Sequence, residues 1–344
     1  MFKKTAFIMF AMLTLSVHAK DSFKLAWSHY TGWEAWGYAA EAGIVKKWAD
    51  KYGIDIEVTL VNDYIESINL YTAKNFDAVT ATNMDALTIP AVGGIDTTAL
   101  IVGDYSNGND GIVARNASSI KDLKDREVRL VELSVSHYML ARALDMNGLS
   151  ERNLTIVNQS DADIASVYLS DPNGAVVTWN PPLQQVRGVK GSNVLFDSSQ
   201  IPGEIIDITF VRTDVDERFK KALVGAWYET MAIMSGKSAQ SQKAIEAIAN
   251  QAGATVAEFK AQLETTAMYY QAAEASKFTQ SPSLVKTMDE VRQFSFDKGL
   301  FGLNADSPDF LGIEFPNGKV LGNKGNIKLR FDSTYMDMAA ADTL

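Results

Sequence analysis

The sequence predicts an α/β protein of two lobes, on three observations. Short β-branched apolar runs alternate with helical patterns as far as Trp179, the chain from Asp214 onward turns to successive long helices, and two extended segments bracket the block between them. Alternation of strand and helix patterns means βαβ units, and these build parallel-rich sheets flanked by helices.

The elements follow in order. Lys3 and Lys4 precede an apolar run from Thr5 to Val17 that closes on Val17-His18-Ala19. A charged start, a short apolar middle and a small-x-small end make a secretory signal peptide, and the run is too short for a comfortable permanent anchor. Cleavage is expected after Ala19. The next residue is Lys20 and the chain contains no cysteine, so a lipid-modified cysteine cannot tether the product and a soluble periplasmic location is expected. Without cysteine, no disulfide supports a fold in that oxidising compartment.

The composition is that of a globular chain, 47% hydrophobic, with a net charge of −10 that grows more negative once Lys3 and Lys4 are removed. Such a balance argues against a nucleic-acid partner. It leans weakly toward cationic or neutral ligands.

Strands are expected at Phe23–Trp27, Ile54–Leu60, Phe76–Ala81, Thr98–Val102, Glu127–Glu132, Leu154–Val157 and Ala175–Trp179. Helices are expected at Asp216–Met234 and Thr255–Ser276, the second opening on the capping box Thr255-x-x-Glu258. Gly111–Arg115 and Asp207–Arg212 read as extended hinge segments. The expected division is therefore 1–19 signal peptide, 20–112 first part of lobe 1, 113–209 lobe 2, and 210–344 second, mostly helical part of lobe 1. In open α/β sheets ligands sit beyond the carboxyl ends of the strands, so the site is expected where those ends meet across a cleft.

Four stretches carry a resemblance: Trp33-Glu34-Ala35-Trp36-Gly37-Tyr38, the run from Gly43 to Ile54 (GIVKKWADKYGI), Thr82-Asn83-Met84-Asp85-Ala86-Leu87, and the run from Val102 to Gly111 (VGDYSNGNDG). Through nearly the whole mature chain the sequence resembles the nitrate/taurine-type periplasmic substrate-binding proteins of ABC transporters. These stretches are especially similar to the branch encoded beside urea-carboxylase-type enzymes. The resemblance implies a type II binding-protein fold, no catalysis and no cofactor, and an ABC permease at the inner membrane as partner. It also implies a monomer and a small nitrogen-rich ligand, urea or guanidine.

Residue by residue, the loop after the first strand places Trp33 and Trp36 on the first turn of a helix, with Thr31 and Glu34 spaced as a capping box. An indole face there either stacks on a planar cation or packs between helix and sheet. After the third strand, Asn83 and Asp85 stand at the same sheet edge. Asp85 can accept two parallel N–H bonds from a guanidinium, and it can equally serve the helix start behind Thr82.

In the second lobe Glu132 ends a strand, followed by Ser136, His137 and Tyr138 at a strand-to-helix junction that suits an anion or a carbonyl unless Glu132 offsets it. Trp179 and Asn180 precede Pro181-Pro182, which leave the sheet and hold the indole at the cleft edge. Asp207, opening the return segment, needs a partner that a cation or Arg212 would supply.

Of working enzyme parts, the chain lacks G-x-S-x-G, a P-loop, a dinucleotide glycine pattern and a metal cluster. Two alternatives stay open. One is a nitrate, alkylsulfonate or pyrimidine ligand, although no arginine or lysine lies in the cleft loops for an anion. The other is an enzyme, since thiamine-pyrimidine synthases use the same fold. The exported protein is expected to begin at Lys20 in the soluble periplasmic fraction. N-terminal sequencing of fractionated cells checks this, and Met1 or a membrane-bound product would refute it.

Overall fold

The computed structural model describes residues 20–344; the expected signal peptide and its cleavage after Ala19 lie outside the described residues. The strands are β1 Ser22–Trp27, β2 Asp55–Leu60, β3 Ala78–Thr82, β4 Thr97–Ser106, β5 Asp110–Arg115, β6 Glu127–Leu130 and β7 Thr155–Asn158. They continue with β8 Ala175–Trp179, β9 Ser192–Asp197, β10 Ile206–Arg212, β11 Thr266–Met268, β12 Gly312–Glu314, β13 Val320–Gly322 and β14 Ile327–Phe331.

A large sheet runs β13-β12-β14-β4-β10-β3-β1-β2, with β11 added beside β4, and a smaller sheet runs β7-β6-β8-β5-β9. The α/β class with two sheets flanked by helices is therefore as expected. Central strands read as continuous apolar or small runs because both faces are covered. All of β3 (Ala78–Thr82) and all of β8 (Ala175–Trp179) are buried.

Both sheets are more mixed than the expected parallel-rich pattern. β10 is antiparallel to β3 and β4, and β5 is antiparallel to β8 and β9. The reason is the crossing. β4 runs toward the seam between the sheets and β5 must run away from it, so β5 opposes β8, whose end lies at the seam.

The passages between the sheets fall at residues 107–109 and 198–205, a few positions before the segments expected as hinges. Gly111–Arg115 and Asp207–Arg212 are instead paired strands, and residues 207–209 belong to the large sheet.

Among the helices, Glu217–Met234 starts on Asp216, whose side chain accepts from the Arg218 N–H. The Thr255/Glu258 capping box forms as expected. The long helix expected over Thr255–Ser276 is broken into Val256–Glu264 and Ala272–Thr279, with β11 between. There β11 pairs with Asp104–Ser106 of β4 and satisfies backbone groups the sheet edge would leave open, a demand that overrides helix propensity.

One packing contact gives a stability test. Trp48 donates its Nε1–H to Glu229 Oε2 at 2.7 Å, lies under the Lys51 ammonium and faces Gly225 of the long helix. A Cβ on Gly225 would lie 2.3 Å from the indole. Helix propensity alone favours Gly→Ala by about 1 kcal/mol. Overpacking against a pinned ring costs about 1–3 kcal/mol, so Gly225→Ala is expected to destabilise on balance. A urea unfolding midpoint at or above wild type would refute this.

Candidate ligand-binding site

The sheet registers bring six strand ends to one place. β1 and β3 are parallel, so Trp27 and Thr82 end at the same edge. Antiparallel β10 begins there with Asp207 facing both Thr82 and Asp104. Across the seam, Asp110 at the start of β5 pairs with Trp179 at the end of β8, and β6 runs parallel to β8 toward Val135.

Between them lies a tight cavity of about 10 Å³ lined by Tyr30, Trp33, Tyr64, Thr82, Asp110, Val135, Trp179 and Asp207. A much larger hollow, about 590 Å³, is lined by residues such as Arg142, Glu151 and Lys298. It is more open and lies away from the strand ends, so the smaller, buried cavity is the candidate site.

Aromatic rings wall it. Trp33 and Tyr64 stack at 5.7 Å between centroids, Tyr30 lies 4.8 Å from Trp33, and Trp179 meets Tyr64 edge-on at 5.4 Å. The Trp179 Nε1–H donates to the His29 carbonyl at 3.2 Å, tying the smaller sheet to the loop after β1.

Carboxylates supply the polar part. Asp85, Asp104, Asp110 and Asp207 are each at most 2% exposed, and each keeps one oxygen with no hydrogen-bond partner in the protein. Asp85 accepts from the Tyr64 hydroxyl at 2.6 Å and the Thr82 hydroxyl at 2.9 Å, and Asp104 accepts from the Tyr30 hydroxyl at 2.8 Å. Among the described residues no lysine, arginine or histidine pairs with any of the four.

Desolvation by burial pushes the Asp85 carboxyl up to about 6 against the pull of Tyr64 and Thr82, and pushes Asp104 and Asp110 up to about 7. Asp207 is raised well above the ordinary range by burial and then by the neighbouring Asp104 and Asp110 charges. Gly32 lets this cluster close up. A Cβ there would sit 2.3 Å from Asp104 Oδ2 and 2.8 Å from the Tyr30 ring.

The expected site residues divide. Trp33, Trp179 and Asp207 line the cavity, and Asp85 stands behind Tyr64 and Thr82. Asn180 is buried nearby and donates to Asn109 Oδ1 at 2.5 Å.

The others are placed elsewhere. Trp36 is core, donating its Nε1–H to Thr209 and packing on Trp227. Asn83 braces the second passage, donating to the Glu204 carbonyl and accepting from the Ile206 N–H. Glu132 is exposed, because β6 stops at Leu130 and the chain turns outward before the next helix.

Ser136 is buried but is not a cavity wall; its neighbour Val135 is. His137 accepts from the Leu133 N–H and faces Glu151 at 3.1 Å, and Tyr138 donates to Glu204, so both are held outside the cavity. The expected Thr31/Glu34 capping box does not form. Thr31 donates to Gln262, and Glu34 pairs with His29 and Gln251.

Tyr30, Tyr64, Asp104 and Asp110 are the residues that sequence reasoning missed. The two acids stand within the stretch Val102–Gly111 that carries the resemblance, flanking the first passage between sheets.

No family model matches the chain. Solved structures do match: the alkanesulfonate-binding protein SsuA from Xanthomonas axonopodis pv. citri bound to MOPS superposes with a TM-score of 0.68 at 14% identity, over 83% of this chain and 96% of that one. The fold is that of the periplasmic binding proteins. The aliphatic sulphonate binding protein SsuA from Escherichia coli gives 0.66 at 15% identity over 84% and 96% of the two chains. The same binding-protein fold serves an enzyme, since the desulfurization enzyme DSZB matches with a TM-score of 0.56 at 13% identity, over 82% of this chain and 93% of that one.

In sequence, the taurine-binding periplasmic protein of Escherichia coli (strain K12) is 30% identical over 123 residues, 35% of this chain. That stretch spans only 38% of the relative's length.

The sign of the carboxyl shifts gives a pH test. These acids titrate higher folded than at their ordinary value of 3.8, so the stability they contribute is complete below about pH 4 and is lost as pH rises through about 6 to 7. His29, raised by its bond to Glu34, acts in the same direction. The melting temperature without added ligand is expected to be lower at about pH 8 than at about pH 5.5, with a smaller difference in Asp110→Asn. Equal melting temperatures at the two pH values would contradict it.

Proposed function

We propose that the protein is the non-catalytic, periplasmic solute-binding component of an ABC importer, and that its cargo is a small planar organic cation, guanidinium, with neutral urea bound second. The observation that carries the reading is the set of four buried carboxylates, each with an unsatisfied oxygen, around an aromatic-walled cavity that no basic side chain enters. An ion buried without a partner costs several kcal/mol even after relaxation, and a cationic ligand offsets that cost.

Guanidinium presents a flat face to Trp33, Tyr64 and Trp179, and its edges offer paired N–H donors that match Asp110 and Asp207. The cavity as it stands, about 10 Å³, has room for about one water, so a ligand enters only if its walls part.

A sulfonate or nitrate would bring a second negative charge into this cluster. Urea, being neutral, would relieve no charge and would need a donor for its oxygen.

In this reading the sheets form two lobes that close on ligand about the passages 107–109 and 198–205, and a monomer then docks on a membrane permease.

Calorimetry with guanidinium chloride, urea, taurine and an alkanesulfonate tests the proposal. Guanidinium is expected to bind tightest. Asp110→Asn and Asp207→Asn should each weaken it by about 2 kcal/mol or more, Trp179→Ala by about 1–2, while urea changes less. Scattering should show compaction in the same titration. Tight binding of the sulfonate without guanidinium binding would overturn the ligand, and binding of neither cation nor anion would overturn the site.

A further inference from the structure

The cavity is lined by Asp207, and Asp207 stands directly opposite Asp104 in the antiparallel β10–β4 pairing. Directly opposed residues of such a pair bring their Cβ atoms within about 5 Å, and like charges there repel. Both side chains are at most 1% exposed, and both retain an Oδ2 with no hydrogen-bond partner.

The groups facing the pair come from every neighbouring element, and none is basic. The loop after β1 presents the Tyr30 hydroxyl, which donates to Asp104, and β5 presents Asp110, with Asp85 behind it. The segment after β11 presents Tyr269 and Tyr270. Two carboxyls so placed cannot both ionise without a cation, and a single proton held between them removes the repulsion.

We propose that Asp104 and Asp207 hold one proton between them in the free protein, and that capture of the planar cation expels it to solvent, so that binding exchanges one cation for one proton. The inference rests on the cationic ligand argued above.

The exchange follows from position. Asp207 reaches the cavity while Asp104 lies behind Tyr30, so a guanidinium edge that pairs with Asp207 needs its carboxylate form. The proton leaves the pair for solvent, and no other bond changes. Tyr30 remains the donor that holds Asp104 in place. The raised titration of both carboxyls, caused first by burial, agrees with a proton retained near neutral pH.

Titrations of wild type with guanidinium chloride, in two buffers of different ionisation enthalpy near neutral pH, count the protons. About one proton released per ligand is expected, with affinity rising about tenfold per pH unit below the titration of the pair and little release with urea. Asp104→Asn keeps the side-chain shape and should abolish most of the release, whereas Glu132→Gln, at an exposed acid outside the cavity, should keep it.

Guanidinium binding with no proton release, or release kept in full in Asp104→Asn, overturns the proposal. Should Asp104→Asn fail to fold, infrared difference spectra of wild type decide. A protonated buried carboxyl band present without guanidinium and lost on adding it supports the exchange, and its absence from the free protein overturns it. If guanidinium gives no binding heat or thermal shift at all, the ligand reading fails instead, a result distinguishable from binding without proton release.

Discussion

Four carboxylates are buried without a basic partner among the described residues, and the arrangement of the seam between the sheets answers to that constraint. Each would forfeit several kcal/mol of hydration if ionised and unpaired. The protein meets part of the demand with short-range donors, Tyr64 and Thr82 for Asp85 and Tyr30 for Asp104. What it does not meet is the second oxygen of each, and those oxygens are where a ligand's N–H groups can act. Removing water from the site strengthens the same interactions, since a charge pair in a low-dielectric pocket is worth far more than one in solvent.

Several of the contacts between the two sheets are, by contrast, individually weak. Arg142 pairs with Glu204 at 2.9 Å, Lys298 with Glu151 at 2.5 Å, and Asp63 accepts from Ser160 at 3.1 Å, most of them partly exposed. Pairs of that kind contribute about 0–1 kcal/mol each. Tyr64 is placed differently. Its N–H reaches Asp161 of the opposite body at 3.3 Å, its hydroxyl reaches Asp85, and its ring is a cavity wall. A ligand stacked on Tyr64 would therefore touch the same residue that links the bodies, and under the proposed closure it would favour the closed form.

The architecture was legible in the sequence because strand alternation and helix capping are local signals. The strand at Ala175–Trp179 and the Thr255/Glu258 cap needed no tertiary information, and Trp179 at the cavity edge followed from the prolines after it. What failed depended on pairing between distant segments. Glu132 looked like a strand-end acid, yet β6 stops two residues earlier and releases it to solvent. The helix through Thr266–Met268 gave way to an edge strand because β4 needed a partner. Asp104 and Asp110 were visible as letters, but only the β4–β10 and β5–β8 registers bring them beside Asp207 and Trp179.

In the proposed reading, fold and ligand charge are separable properties. Sulfonate-binding proteins superpose on most of this chain at 14% and 15% identity, which speaks for a shared scaffold and leaves the strand ends free to differ. The strand ends are few, and a side chain at any of them enters a confined, poorly hydrated space. Changing the sign of charge accepted there requires only a handful of acids facing inward together with hydroxyl donors to hold them, while the sheets remain as they are. The same economy has a structural consequence. Asp104 and Asp207 are opposed within the β4–β10 ladder in the middle of the large sheet, and both are buried, so their carboxyls share one dry space. A proton or a cation between them would relieve the repulsion of two like charges held there.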